Sequence, residues 1–234
     1  MIKLALIGRD ISHSRSKEMY EDIIGHEVDY HLLDYSTASK VEELESLFER
    51  GFLGLSVTYP YKGHFLNSVQ VEDSVVKKLN AINCIRKQGS QFEATNTDYL
   101  AAQWILQNDF KQFDSFLILG SGNMSRVFAE VINDLSKPFK IFSRRKYGDL
   151  NGLDYENELR CIGKNPLVIN CCSRDFTFDS DLPDGSIFWD MNYSFAKHDH
   201  LKSKSLNYID GLNLLKWQAK FALSFWNVGL TRNS

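Results

Sequence analysis

The sequence predicts an α/β protein folded in two parts. Through the first hundred residues, short β-like runs alternate with amphipathic helical stretches, the pattern of strands packed beneath helices. Further on, the near-continuous apolar run 116–119 leads straight into Gly120-Ser121-Gly122, as expected of a parallel strand covered on both faces. A chain of 234 residues suffices for two small domains or one large α/β unit, and its two halves are punctuated differently.

Residues 2–7 make the first strand, turned by Gly8-Arg9-Asp10; the run is too short for the core of a signal peptide. A helix follows over about 16–24 and stops at Gly25, after which Val28, Tyr30 and Leu32 alternate as a half-buried strand. Ser39-Lys40-Val41-Glu42 reads as a capping box. Val41, Leu44, Leu47 and Phe48 then give an apolar helix face that ends at Gly51. Residues 53–58 form the next strand, closed by Pro60. Runs 82–85 and 92–96 flank Gln88-Gly89-Ser90 as an antiparallel hairpin. A linking helix over roughly 99–107 leads to the second half. There, strand 116–119 precedes a helix carrying Val127, Phe128, Val131, Ile132 and Leu135, and strands 139–142, 167–170 and 187–190 follow. From Gly211 onward Leu214, Leu215, Ala219, Ala222, Phe225 and Trp226 recur at helical spacing; this helix is expected to return to the first half.

Hydrophobic content of 43% and charged content of 24% are those of a soluble globular protein. A net charge of -3 excludes a nucleic-acid or anionic-membrane surface as the main partner. No apolar run approaches the roughly 20 residues that span a bilayer. The cysteines Cys84, Cys161, Cys171 and Cys172 contain no CxxC pair and the histidines are scattered. No metal site is expected, and the thiols read as buried and reduced in a cytoplasmic protein.

Lys62 follows a β-rich run that stops at Pro60, and Asp98 ends Asn96-Thr97-Asp98. Together they make a proton-handling pair in which the carboxylate holds and orients the ammonium. Gly120-x-Gly122-x-x-Ser125, directly after a buried strand and before a helix, is a near match to a dinucleotide fingerprint. Gly120 permits the tight turn, and Gly122 lets backbone approach a pyrophosphate at the helix start. The following strand ends in Ser143-Arg144-Arg145-Lys146, with cations where an NAD site carries an acid. A 2′-phosphate would meet Ser143 and Arg144 or Arg145, so NADP is favoured over NAD. Proton pair and nucleotide signal together point to an oxidoreductase. Ser14 and Ser16, at alternate positions before a helix, either bind a carboxylate or cap that helix.

In this order the residues resemble the shikimate dehydrogenase family, quinate/shikimate dehydrogenases included. Ile11-Ser12-His13-Ser14-Arg15-Ser16 resembles the family's loop whose two serines bind the substrate carboxylate. Ser56-Val57-Thr58-Tyr59-Pro60-Tyr61-Lys62 resembles Asn-Val-Thr-x-Pro-x-Lys, which implies that Lys62 is the catalytic lysine and Thr58 a substrate contact. Ala81-Ile82-Asn83 resembles Ala-Val-Asn, whose Asn binds a ring hydroxyl; Asn96-Thr97-Asp98 resembles the motif of the catalytic aspartate. Gly120-Ser121-Gly122-Asn123 resembles the Gly-Ala-Gly-Gly turn, and Ser143-Arg144-Arg145 the NADP clamp. Asn170-Cys171-Cys172-Ser173 resembles Asn-Ala-Thr-Ser beside the nicotinamide. Asp190-Met191-Asn192-Tyr193 resembles Asp-x-x-Tyr, whose Tyr reaches the substrate. Asp210-Gly211 through Leu214-Leu215 to Gln218 resembles the closing helix, which puts Gly211 with the cofactor and Gln218 on the substrate.

The resemblance implies two domains around a cleft. An α/β substrate-binding and catalytic domain, residues 1–99 completed by 207–234, would face a Rossmann-type NADP-binding domain, residues 100–206. The expected reaction interconverts 3-dehydroshikimate and shikimate in a cytoplasmic monomer or homodimer. The departures Ser56 for Asn, Lys17 for Pro, Asn123 for Gly and Arg145 for Thr leave two alternatives open. One is a quinate or related cyclohexane-carboxylate dehydrogenase, the other an idle ligand-binding homologue.

Overall fold

The structure, a computed structural model, describes residues 1–202 and 207–229. The chain divides into two compact units, Met1–Ala101 joined by the residues from Leu215 onward, and Ala102–Leu214. The expected boundary residue Leu206 lies outside the described residues, as do 230–234 of the closing segment.

The first unit is built from β1 (Lys3–Gly8), α1 (Ser16–Ile24), β2 (Asp29–Asp34), α2 (Leu44–Glu49), β3 (Gly54–Val57), α3 (Ser74–Leu79), β4 (Cys84–Gln88), β5 (Gln91–Thr95) and the start of α4 (Thr97–Asn108). Its sheet runs β2-β1-β3-β4-β5. Strand β1 is parallel to β2 and β3, while β4 is antiparallel to β3 and β5. Two reversals make β5 run with β3. The ends of β1, β3 and β5 and the start of β4 therefore share one edge, and the loops that leave it carry the candidate chemistry.

After Lys3, strand β1 is apolar throughout, as expected of a strand covered on both faces. Ala5 and Ile7 join Leu47, Leu55, Val57 and Ile82 in one core, while Leu4 joins Tyr20, Ile23, Ala219, Leu223 and Trp226 in another. Gly54 leaves room for Trp226, whose ring lies 2.3 Å from where a Cβ would stand, and Trp226 Nε1 donates to Ile85 O at 3.0 Å.

The second unit contains β6 (Ser115–Leu119), α5 (Asn123–Asp134), β7 (Phe139–Phe142), α6 (Arg144–Tyr147), α7 (Tyr155–Ile162), β8 (Pro166–Asn170), β9 (Ile187–Asp190), β10 (Asn207–Ile209) and the start of α8 (Leu212–Phe225). Its sheet is wholly parallel, ordered β10-β9-β8-β6-β7. Every residue of β6 is buried, and α5 covers it with Val127, Phe128, Val131 and Ile132. The connection from β6 leads to β7 on one side, and β8 then pairs on the other. The end of β6 is thus the topological switch point, where ligands bind in open α/β sheets.

Four expectations need correction. No capping box forms at Ser39: residues 38–40 make a single 3-10 turn, and α2 begins only at Leu44. The Glu42 carboxylate is drawn away by the Tyr35 hydroxyl at 2.7 Å and Arg50 at 2.9 Å, and Ser39 bonds Thr37 at 3.1 Å. Leu32 is 43% exposed, because β2 is an edge strand and Leu33 is the residue that turns to the core. Helix α4 starts at Thr97 rather than 99, because Asn96 Oδ1 accepts the Tyr99 N–H at 3.1 Å and caps it. Cys84 and Cys172 are buried but Cys161 is exposed on α7; all four thiols are free. Among the described residues, no helix is long and apolar enough to cross a membrane, and no three His, Cys, Asp or Glu side chains assemble as metal ligands. The short elements α3, α6, α7 and β10 had no counterpart in the sequence reading.

Candidate active site

Lys62 sits in the single 3-10 turn Tyr61–Gly63 just beyond β3. Its neighbour Tyr61 is buried and donates its hydroxyl to Tyr35 O at 2.5 Å, while Lys62 O accepts the Ile82 N–H at 2.8 Å. The turn is thereby tied to both the core and the start of β4. From it the Lys62 ammonium donates to Asp98 Oδ2. Gln218 Nε2, from α8, donates to the other oxygen, Oδ1, at 2.6 Å. Both carboxylate oxygens are thus engaged, and Asp98 lies in the first turn of α4, where the helix dipole favours a negative charge. The Lys62 and Asp98 side chains are 12% and 5% exposed. Desolvating two such charges costs several kcal/mol per ion, which only good geometry and further hydrogen bonds offset.

The other candidates of this unit stand on the same sheet edge. Thr58 directly follows β3, half-buried, with its N–H on Ile7 O at 2.8 Å. Asn83, next to the start of β4, spends its side chain on Thr97: Oδ1 accepts the Thr97 N–H at 2.7 Å and Nδ2 donates to Thr97 Oγ1 at 3.0 Å. Asn83 thus fixes the residue before Asp98. The loop after β1 is pinned by Asp34, whose carboxylate accepts from the N–H groups of Asp10 at 3.0 Å and Ile11 at 3.2 Å. It brings the hydroxyls of Ser14 and Ser16 within 3.1 Å of each other, with Ser14 Oγ also accepting the Ser16 N–H at 3.3 Å. Ser14 therefore orders the entrance to α1 while both hydroxyls stay half-exposed. Ser56, shorter than the asparagine of the family motif, meets the Tyr20 hydroxyl at 3.1 Å. Burial pushes the Tyr20 phenol well up, so it stays protonated at neutral pH.

The cofactor candidates belong to the second unit. Gly120 has φ +106°, and a Cβ there would stand 3.0 Å from Cys171 backbone atoms; both facts demand glycine. Gly122 caps α5 without a side-chain bond, and a Cβ there would meet nothing within 4 Å. The first N–H groups of this helix are left open, a fit for the pyrophosphate of a dinucleotide. Ser121 is exposed, and Asn123 accepts a hydrogen bond from Arg126 on its own helix. Ser143 precedes α6, which carries Arg144 and Arg145. Arg144 is already engaged: its Nη1 and Nη2 lie 3.2 and 3.3 Å from the Asp175 carboxylate. Tyr193 is half-buried after β9, with its carbonyl accepting from Arg174 at 3.0 Å. Gly211 packs against backbone, since a Cβ would stand 2.4 Å from Met191 O.

A buried polar network escaped the sequence reading. The Asp190 carboxylate accepts from His198 Nδ1 at 2.6 Å, Tyr208 at 3.0 Å, Asn170 Nδ2 at 2.9 Å and the Asn192 N–H at 3.0 Å. Phe178 N–H donates to His198 Nε2 at 2.9 Å, so this imidazole is neutral with its proton on Nδ1. The network holds the Cys172 and Tyr193 loops at the ends of β8 and β9.

A family model described as the shikimate dehydrogenase substrate binding domain matches residues 6–85. The shikimate dehydrogenase (NADP(+)) of Prochlorococcus marinus strain MIT 9215 is 31% identical over 265 residues, covering 97% of this chain and 92% of its own. Among solved structures, shikimate dehydrogenase from Aquifex aeolicus matches with a TM-score of 0.78 at 19% identity, over 99% of this chain and 94% of that one. Shikimate 5-dehydrogenase from Thermus thermophilus, solved with NADP(H) and shikimate, matches with 0.72 at 20% identity, over 98% and 95%. At such identities the structural likeness speaks for the fold.

Proposed function

Because the chain belongs to the shikimate dehydrogenase family, we propose that it catalyses the NADP-dependent, reversible reduction of 3-dehydroshikimate to shikimate. The observation that carries this reading is the part-buried Lys62–Asp98–Gln218 constellation, a cation held ready by a carboxylate whose two oxygens are both occupied.

Bound NADPH supplies the hydride. The protein's task is the proton. As negative charge develops on the substrate carbonyl oxygen, the Lys62 ammonium stabilises it and hands over a proton. Asp98 keeps the ammonium aimed, and Gln218 keeps Asp98 from turning away. Ser14 and Ser16 offer paired hydroxyls to the ring carboxylate at the start of α1. Thr58, Asn83 and Gln218 face the substrate hydroxyls in this reading, Asn83 with whatever its bonds to Thr97 leave over. In the second unit the open start of α5 would hold the pyrophosphate, and Arg144 and Arg145 with Ser143 would hold the 2′-phosphate. The four free thiols fit a cytoplasmic enzyme, and a monomer or homodimer is the expected assembly.

Calorimetric titration of shikimate and of quinate into the protein tests the substrate side separately from turnover. Saturable binding of shikimate at least about tenfold tighter than quinate is expected, the size of effect that one misplaced hydroxyl brings to a polar site. Quinate binding as well as or better than shikimate would move the assignment to that ring.

A further inference from the structure

We propose that Asp175 sets the coenzyme affinity of this chain, by occupying the Arg144 guanidinium that a 2′-phosphate needs; this rests on the NADP reading above. The acid that an NAD site carries at the end of its second strand is missing after β7, where the chain places cations instead. An acid reaches the same guanidinium from another direction, the loop after β8. Arg144 Nη2 lies 3.3 Å from Asp175 Oδ1 and 3.2 Å from Oδ2, and Nη1 lies 3.2 Å from Oδ2. The guanidinium also stands over the Phe176 ring at 5.8 Å, so one loop presents it with both an anion and a π-face. Ser173 Oγ donates to the same carboxylate. That bond first, and Arg144 after it, hold the Asp175 carboxyl below the usual carboxylate range, so it is ionised at neutral pH.

A 2′-phosphate approaching Arg144 therefore meets a carboxylate of its own sign already in place. It must displace Asp175 or share the guanidinium with it, and either weakens binding relative to a free arginine. NAD carries a hydroxyl at this position, which donates to a carboxylate without conflict. Asp175 thus lowers the preference for NADP that Arg144 and Arg145 create. The exposed ion pair is worth little to the fold, so its removal changes coenzyme binding rather than stability; the Asp175 side chain is 64% exposed.

The test is the equilibrium Kd of NADP+ and of NAD+, measured by calorimetry on the native chain, Asp175→Asn and Arg144→Ala. Asp175→Asn is expected to tighten NADP+ about five-fold, the upper range of an exposed charge pair, with NAD+ unchanged or weaker. Arg144→Ala is expected to weaken NADP+ by about tenfold or more and to leave NAD+ nearly unchanged. If Arg144→Ala weakens NADP+ alone while Asp175→Asn leaves it unchanged, weakens it or tightens both coenzymes alike, the proposal is wrong and the NADP reading stands. If Arg144→Ala weakens both coenzymes equally, the NADP reading falls and the proposal with it.

Discussion

Lys62→Ala is expected to lower kcat for shikimate oxidation by about a hundred- to ten-thousand-fold, the range for removing a positioned proton donor or acceptor. The argument is geometric. Lys62 is fixed at both ends, by its carbonyl on Ile82 N–H and by its ammonium on Asp98. An ammonium so placed contributes mainly when charge develops on the substrate oxygen, so kcat and kcat/KM should fall together while KM moves little. The variant should lose stability, because the 5% exposed Asp98 is left without its counter-charge, but should still fold, because Asp98 keeps its bond from Gln218 and lies at a helix start. Steady-state kinetics beside a urea melt decide the matter: near-native turnover in a folded sample contradicts the assigned role.

Asp98→Asn should have the second largest effect, on rate and stability together. The amide carries no charge and offers one acceptor oxygen and an NH2 group, where Asp98 now accepts from both Lys62 and Gln218. Its one acceptor oxygen can serve Lys62 only if Gln218 flips to present its own Oε1 to the new NH2 group. The 12% exposed Lys62 is left as a nearly buried cation without its counter-charge, a loss of roughly 3–5 kcal/mol. The urea midpoint should drop accordingly and kcat should fall at least about a hundred-fold. Adding Lys62→Met to Asp98→Asn removes the stranded charge, and should recover most of the stability but none of the turnover. Recovery of turnover in the double variant would show that the pair serves only the fold.

Much of this was legible in the chain because it was written in local pattern. The covered strands carry the continuous apolar runs 4–7 and 116–119, and Gly120 and Gly122 follow the second at once. Lys62 and Asp98 were expected together from their motifs, and the structure puts them in contact. What failed was decided by partners distant in sequence. The apparent capping box at Ser39 is spoiled by Tyr35 and Arg50, which take Glu42. Nor does any local pattern announce the bonds from the Asn83 side chain to Thr97, fourteen positions on. The Arg144–Asp175 pair and the Asp190–His198–Tyr208 network join β-strand ends and loops with no spacing that marks them beforehand. Side chains that terminate helices or bridge loops take their meaning from the tertiary fold, whereas strands beneath helices declare themselves by periodicity.

The measurement that bears most directly on the central claim is the time course of NADPH absorbance when the protein is mixed with shikimate and NADP+. A rise that requires both compounds, and that NAD+ supports more weakly, is the predicted result. A flat trace from folded protein that binds both shikimate and NADP+ would contradict the claim that Lys62 and Asp98 move a proton in hydride transfer.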